Sequence, residues 1–93
     1  MSDDPWLPLS GMELPRFAGI PTFMRLRHLP VDAAGEVQIG LIGVPWDGGT
    51  TNRPGARHGP RQLRDASTMI RNVNQATGAR PFHKARCADL GDT

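Results

Sequence analysis

The 93-residue sequence predicts an α/β fold in which an irregular arm precedes a strand–helix–strand unit. Three observations predict it. A nearly continuous apolar run, VQIGLIGVP at residues 37–45, is typical of a strand in the middle of a parallel sheet. A helical apolar period follows after a glycine-rich loop, and a second short strand, RCADL at residues 86–90, stops at Gly91. Together these elements make a βαβ unit with parallel strands.

The composition of the chain changes after residue 36. Residues 1–36 form the arm, because five of the nine prolines lie in the first thirty positions and the hydrophobic residues there follow neither a strand nor a helix period. The segment FMRLRHL within the arm has room for a short turn of helix or strand. Residues 37–93 form the βαβ unit. Two strands and one helix cannot cover both faces of a sheet, so we expect this unit to be an incomplete part of a domain.

The helix between the strands begins at a Gly-Pro pair. Gly59 suits the N-cap, and Pro60 suits the first helical position, where its missing N–H is no loss. We expect the helix to end by Asn74, because NQATGARP is typical of turns. Its apolar residues recur at three- and four-residue steps and form one stripe: Leu63, Ala66, Ile70 and Val73.

Composition and charge argue against several classes of function. Eleven Lys and Arg stand against nine Asp and Glu, and no basic run with interleaved aromatic residues predicts a nucleic-acid partner. No apolar stretch has the length of a signal peptide core or a membrane span, so we expect a cytoplasmic protein. Cys87 is the single cysteine, which leaves no disulfide and no cysteine metal site. We expect it to be a small buried residue.

A glycine-rich loop, GVPWDGGTTNRPGARHGP at residues 43–60, follows the first strand. It is not a Walker A loop, since Ala56-Arg57 stands where Lys-Ser/Thr is needed, and it lacks the glycine spacing of a dinucleotide fingerprint. Simple anion binding at the helix N-terminus beside Arg57 and His58 stays open. The loop leaves the carboxyl end of a strand, where open α/β sheets place their ligands. Its position favours a site, whereas its residue types name no chemistry.

Four stretches of the chain resemble a known family. GIPTFMRL, GVPWDGGTTNRPGARHGPRQLRDAS, NQATGARPF and ADLGD are similar, in that order, to the N-terminal third of the ureohydrolase (arginase) family, and within it to the agmatinase-like branch. The resemblance covers roughly residues 19–92. It implies that the βαβ unit is the N-terminal portion of an arginase-like parallel sheet with flanking helices.

The resemblance also implies a chemistry. Members of the family use two manganese ions to activate a bridging water, which attacks the guanidinium carbon of a small guanidino substrate. Their metal ligands lie in G-G-D-H, D-A-H-x-D and D-x-D motifs, none of which occurs in these 93 residues, and His28, His58 and His83 are scattered. We therefore predict no catalytic residue and no metal site in this chain, and no manganese bound to it alone.

Five residues are candidates for supporting roles on the same analogy. We expect Asp47, Asn52 and Arg53 of the glycine-rich loop to border the catalytic cleft; the alternative is that they hold the turn and a subunit contact only. Met24 and Arg25 in the arm are candidates for a substrate entrance or for a contact with a neighbouring protomer.

These observations lead to three hypotheses. The first is the N-terminal portion of an agmatinase-like amidinohydrolase, homo-oligomeric when complete, which hydrolyses agmatine or a guanidino acid to urea and an amine; the 93 residues alone are then inactive. The alternative is a non-catalytic short protein that associates with a full-length ureohydrolase through its open sheet edge and uncovered apolar helix face. The third is an independent anion-binding βα module. The choice among agmatine, guanidinobutyrate and guanidinopropionate stays open.

Overall fold

The computed structural model describes residues 4–93. It confirms the predicted α/β class: two parallel strands are connected through helices, and an arm with little regular structure precedes them. The first three residues of the predicted arm lie outside the described range. The elements follow one another in this order: 3-10 turns at Phe23–Arg25 and Val31–Ala33, strand β1 at Ile39–Gly43, a 3-10 turn at Ala56–His58, helix α1 at Gly59–Ser67, helix α2 at Pro81–Lys84 and strand β2 at Cys87–Asp92.

The two strands pair in parallel, with Ile39 opposite Cys87 and Leu41 opposite Asp89. The register then shifts, because Gly43 lies opposite Asp92 and β2 therefore carries one extra residue over this interval. The φ of Gly91 is +83° at that point, a conformation that favours glycine. Strand β1 is shorter than the predicted residues 37–45, while β2 extends past the predicted stop into this bulge.

The arm pairs with the other edge of β2. The backbone N–H of Asp89 donates to the carbonyl of Arg27 at 2.9 Å, and the N–H of Leu29 donates to the carbonyl of Asp89 at 3.0 Å. His28 and Asp89 thus form a parallel bridge. Strand β2 is therefore flanked on both sides, by β1 and by the arm.

Helix α1 begins at Gly59, which was predicted to be its N-cap. Pro60 is therefore the second residue of the helix, whereas it was predicted to be the first. The helix ends well before the predicted limit of Asn74, because it stops at Ser67 and leaves Ile70 and Val73 of the predicted stripe outside it. The hydroxyl of Ser67 donates to the carbonyl of Arg64 at 2.9 Å, and that of Thr68 donates to the carbonyl of Asp65 at 2.8 Å. Such back-bonding competes with the backbone ladder and favours termination of the helix.

The face of α1 that packs inward is polar. Arg64, Ser67 and Thr68 are buried or half-buried against the arm and β2, while Leu63 of the predicted apolar stripe is 63% exposed. Ile70, another member of the stripe, lies beyond the end of the helix and is 50% exposed. Within residues 4–93 most of the apolar stripe is left uncovered, since Ala66 is exposed as well and only Val73 is half-buried.

The core is small and sits between the arm, α2 and β2. Leu26, Phe82 and Cys87 form its buried cluster, and the expectation that Cys87 is buried is confirmed. Helix α2, which brings Phe82 into this cluster, was not predicted. It is only four residues long and begins at Pro81, the last residue of the stretch NQATGARP whose composition indicated turns.

Candidate functional site

The glycine-rich loop leaves the carboxyl end of β1, and Asp47 organises it. The Oδ2 atom of Asp47 accepts hydrogen bonds from the backbone N–H of Gly55 at 2.9 Å and from Nη1 of Arg57 at 2.7 Å. Its backbone carbonyl accepts from both the N–H and the hydroxyl of Thr50. Gly55 has a φ of +138°, which a residue with a Cβ rarely adopts. One carboxylate therefore holds both ends of the loop.

The pKa of Asp47 lies below the ordinary aspartate value. The main cause is the hydrogen bond from the backbone N–H of Gly55; burial opposes it, and the hydrogen bond and charge of the Arg57 guanidinium lower the pKa further. Asp47 is therefore ionised at neutral pH and occupied by partners within the loop. Arg57 is a candidate for anion binding at the helix N-terminus, and its Nη1 is engaged in this ion pair.

Asn52 and Arg53 are both exposed at the tip of the loop. Within residues 4–93, neither side chain makes a hydrogen bond or an ion pair, so the structure does not bring them together with Asp47. Asp47 holds the loop from within, and the other two face outward. The hypothesis that the three residues border a cleft stays a prediction.

Trp46 is a surface feature that the sequence analysis did not single out. Trp46 is 68% exposed, although the next residue, Asp47, is half-buried. The indole packs on Gly48, where an added Cβ would lie 2.5 Å from the ring, and on Gly49. Glycine at position 48 therefore allows the close approach that holds the ring at the carboxyl end of β1.

Met24 and Arg25 form a left-handed turn, with φ values of +54° and +57°. Such values cost free energy in residues with a Cβ and persist where surrounding contacts hold them. The N–H of Met24 donates to the hydroxyl of Ser67 at 2.8 Å, and Nη1 of Arg25 donates to the carbonyl of Leu14 at 2.8 Å. Arg25 is buried, and the hydrogen bond from Met24 to Ser67 places these two residues against the end of α1. Their proposed role at an entrance or subunit contact stays a prediction.

A second carboxylate, Asp89, lies at the centre of the fold and is 1% exposed. Nε of Arg64 donates to its Oδ2 at 2.8 Å and Nη2 to its Oδ1 at 3.0 Å. The backbone N–H groups of Phe23 and Gly91 donate to the same carboxylate, each at 2.9 Å. Arg64 also pairs with Asp92 at 2.7 Å and lies 4.3 Å from the centre of the Phe23 ring.

Burial alone raises the pKa of Asp89, but the hydrogen bonds from Arg64, Phe23 and Gly91 outweigh it, and the pKa lies below the ordinary value. The hydrogen bond to Asp89 correspondingly raises the pKa of Arg64. This ion pair joins the arm, α1 and β2. Neither residue was predicted to have a role. The sequence does contain one signal, a carboxylate within an apolar strand, because such a carboxylate needs a cation when it is buried.

Residues 4–93 contain no group of three or more His, Cys, Asp or Glu side chains placed to hold a metal ion. The two best-connected carboxylates, Asp47 and Asp89, are each occupied by an arginine and by backbone N–H groups. The described residues therefore do not fit a manganese pair. In the same range, no helix is long and apolar enough to cross a membrane.

Comparison with known proteins gives a consistent result. Residues 37–93 match the model of the arginase family. The chain is 56% identical over 92 residues to guanidinopropionase of Pseudomonas aeruginosa, covering 99% of this chain and 28% of that protein. It is 50% identical over 86 residues to guanidinobutyrase of the same organism, covering 91% of this chain and 27% of that protein.

A solved structure also matches. The proclavaminate amidino hydrolase from Streptomyces clavuligerus superposes with a TM-score of 0.77 at 46% identity, covering 84% of this chain and 25% of that one. The chain thus spans only about a quarter of the length of the relatives it matches.

Proposed function

This chain belongs to the arginase family, and on that premise we propose that it forms the N-terminal portion of an amidinohydrolase that releases urea from a guanidino compound. The observation that carries the proposal is the family match over residues 37–93, supported by relatives whose names denote hydrolysis of guanidino compounds. The complete protein is a cytoplasmic homo-oligomer in this proposal.

The substrate is agmatine or a guanidino acid. Two of the most similar relatives are named for guanidinopropionate and guanidinobutyrate, which supports a guanidino acid. Such a substrate carries a carboxylate at the end remote from the guanidinium group. The pocket that distinguishes chain lengths lies outside the described residues in this proposal.

In the complete enzyme, two manganese ions would supply the nucleophilic water of the proposed reaction. Within residues 4–93, Asp47 and Asp89 are engaged with arginines and backbone N–H groups and no metal cluster is formed, so the ligands would belong to other parts of the complete enzyme. This chain alone is accordingly inactive.

The glycine-rich loop is the part of this chain that borders the cleft. Its placement at the carboxyl end of β1 supports this role, since open α/β sheets bind ligands at that edge. Asp47 orders the loop from within, and Asn52 and Arg53 are presented outward from its tip. The loop therefore shapes the approach to the reaction centre and takes no part in bond breaking.

A chimeric enzyme tests the proposal. The matched segment of the Pseudomonas aeruginosa guanidinopropionase is replaced by this chain, and urea release from guanidinopropionate is measured with manganese. We expect kcat/KM within about tenfold of the parent, a barrier change of about 1.4 kcal/mol. A chimera that folds and binds manganese but releases no urea would contradict the proposal.

Two variants of the chimera test the role of the loop. Arg53→Ala, at the tip of the loop, is expected to raise KM severalfold. Arg61→Ala removes an equally exposed arginine from α1 and serves as the matched control, with unchanged KM. Equal KM values for both variants would remove Arg53 from the cleft.

The isolated 93 residues test the predicted inactivity. We expect no urea from agmatine or guanidinopropionate and no stoichiometric manganese by metal analysis. If the isolated chain is inactive but forms a stable complex with a full-length ureohydrolase, the alternative of a short associating protein is favoured instead. The exposed apolar side chains of Leu63 and Ile70 are the observation on its side.

A further inference from the structure

A polar cavity lies between the arm and the turn that follows α1. It has a volume of about 210 Å³. Three of the residues that line it are arginines, Arg16, Arg25 and Arg71, and Asn72 adds an amide. Among the described residues that line it, none is acidic. The lining of this cavity therefore presents three arginines and no carboxylate, although Arg16 and Arg25 also line a larger neighbouring cavity whose lining includes Glu13 and Asp65.

The buried member of this group is Arg25, whose residue surface is 8% exposed. Nη1 donates to the carbonyl of Leu14, but Nη2 is closed off from solvent and has no hydrogen-bond partner within residues 4–93. A guanidinium carries five N–H donors, and a buried charge without an acceptor is unfavourable. Arg57 and Arg64, by contrast, each donate to an aspartate.

Arg25 is also held firmly in place. Its carbonyl accepts from the N–H of Leu9, and its own N–H donates to the carbonyl of Thr22. The neighbouring Met24 is tied to Ser67 at the end of α1. The backbone of Arg25 is thus fixed by these hydrogen bonds and its Nη1 by the carbonyl of Leu14, which reduces the ordering that a ligand would have to impose.

We propose that this cavity binds a small oxyanion of the phosphate class, with Arg25 as its principal ligand and Arg71 as its second. A guanidinium fork matches the spacing of two oxygens of one anion, and three positive charges favour a doubly charged anion over a carboxylate. Agmatine is excluded as the ligand because it carries no anionic group, and a guanidino acid fits less well because its single carboxylate is accompanied by a guanidinium cation. The proposal does not rest on the proposed reaction.

The test uses the 93-residue chain labelled with ¹⁵N at arginine. Inorganic phosphate is titrated at constant ionic strength against chloride, and the Nε–H resonances are followed by NMR. We expect saturable shifts at Arg25 and Arg71 and none at Arg53, which is exposed on the glycine-rich loop. Phenyl phosphate is titrated in parallel; tighter binding than phosphate identifies a phosphomonoester as the ligand, and weaker binding identifies the free ion.

Two variants carry the assignment. Arg71→Gln weakens phosphate binding by about tenfold, the effect of losing one charged hydrogen bond. Arg61→Gln makes the same change of charge at an exposed position of α1 that does not line the cavity, and it leaves the affinity unchanged. Arg25→Lys keeps the charge but loses the fork, and it binds more weakly than the unaltered chain.

Four results would overturn the proposal. The first is a shift that grows linearly without saturation, and the second is an equal loss of affinity in Arg61→Gln. The third is dimerisation of the chain that Arg71→Gln abolishes, because an acidic side chain of a second copy would then fill the cavity. A chain that gains a dispersed spectrum only with phosphate supports the proposal, and one that stays undispersed at saturating phosphate contradicts it.

Discussion

Two of the aspartate–arginine pairs within residues 4–93 have nearly the same length and very different surroundings. Asp47 and Arg57 are 2.7 Å apart on the glycine-rich loop, and the Arg57 side chain is 54% exposed. Asp89 and Arg64 are 2.8 Å apart, with side chains that are 1% and 12% exposed. The distance between the charges therefore says little about what each pair contributes, and burial decides it.

The partners of each pair show what it connects. Asp47 contacts groups at most ten residues away, all in its own loop. Asp89 contacts the N–H of Phe23, which is 66 residues away, and Arg64, which is 25 residues away. The first pair orders a loop, whereas the second joins three separate segments of the fold.

The largest effect is expected from breaking the buried pair. Arg64→Met leaves the Asp89 carboxylate buried without its cation, and we expect a loss of about 3–5 kcal/mol in the free energy of unfolding. Urea denaturation followed by circular dichroism measures it. The exposed Arg61 on the same helix provides the control, since Arg61→Met should change stability by less than about 0.5 kcal/mol. Equal losses in both variants would show that the buried pair contributes nothing special.

The next largest effect is expected from acid, which removes the charge of Asp89 in the buried pair. The pKa of Asp89 in the folded state lies below the ordinary aspartate value, so its contribution is fully present above about pH 4 and is lost as the pH falls through the lower folded-state pKa. The melting temperature, measured from neutral pH downward, should fall in that acidic range. In the double variant Arg64→Met with Asp89→Leu, where both charges are replaced by apolar side chains, this part of the fall should vanish. An unchanged acid profile would assign it to other carboxylates.

The smallest effect on global stability is expected from the exposed pair. Asp47→Asn removes the charge from the loop but leaves the fold outside it intact, because the pair contacts solvent and loop residues only. The melting temperature should hardly change, while hydrogen exchange of the Gly55 amide should become severalfold faster. A drop in melting temperature as large as that of Arg64→Met would mean that the loop supports the fold.

Local patterns in the sequence were enough for the class of fold and the family. The apolar run of β1, the Gly-Pro start of α1 and the second short strand predicted a parallel βαβ unit, and the structure has it. The phrase GVPWDGGTTNRPGARHGP predicted the arginase family, and the family match confirms it. These signals are readable because strand, helix and turn preferences are set by residues close together in the chain.

The packing of the elements depended on contacts that no local pattern contains. Most of the apolar stripe predicted for α1 lies uncovered within residues 4–93, and the inner face of that helix is instead polar, because Arg64 meets Asp89 and Ser67 meets Met24. The position of the irregular arm is fixed by pairing with β2 through backbone hydrogen bonds, and any sequence can supply the atoms that make them.

The sequence by itself therefore determined the order of strands and helix and the position of the glycine-rich loop after the first strand, through periodicity and turn preferences. Only the tertiary structure decided which carboxylate is buried, which arginine pairs with it and which arginine, Arg25, is left with a free donor within residues 4–93. The physical reason is that desolvation and charge pairing depend on distances between residues far apart in the chain, and those distances exist only once the chain has folded.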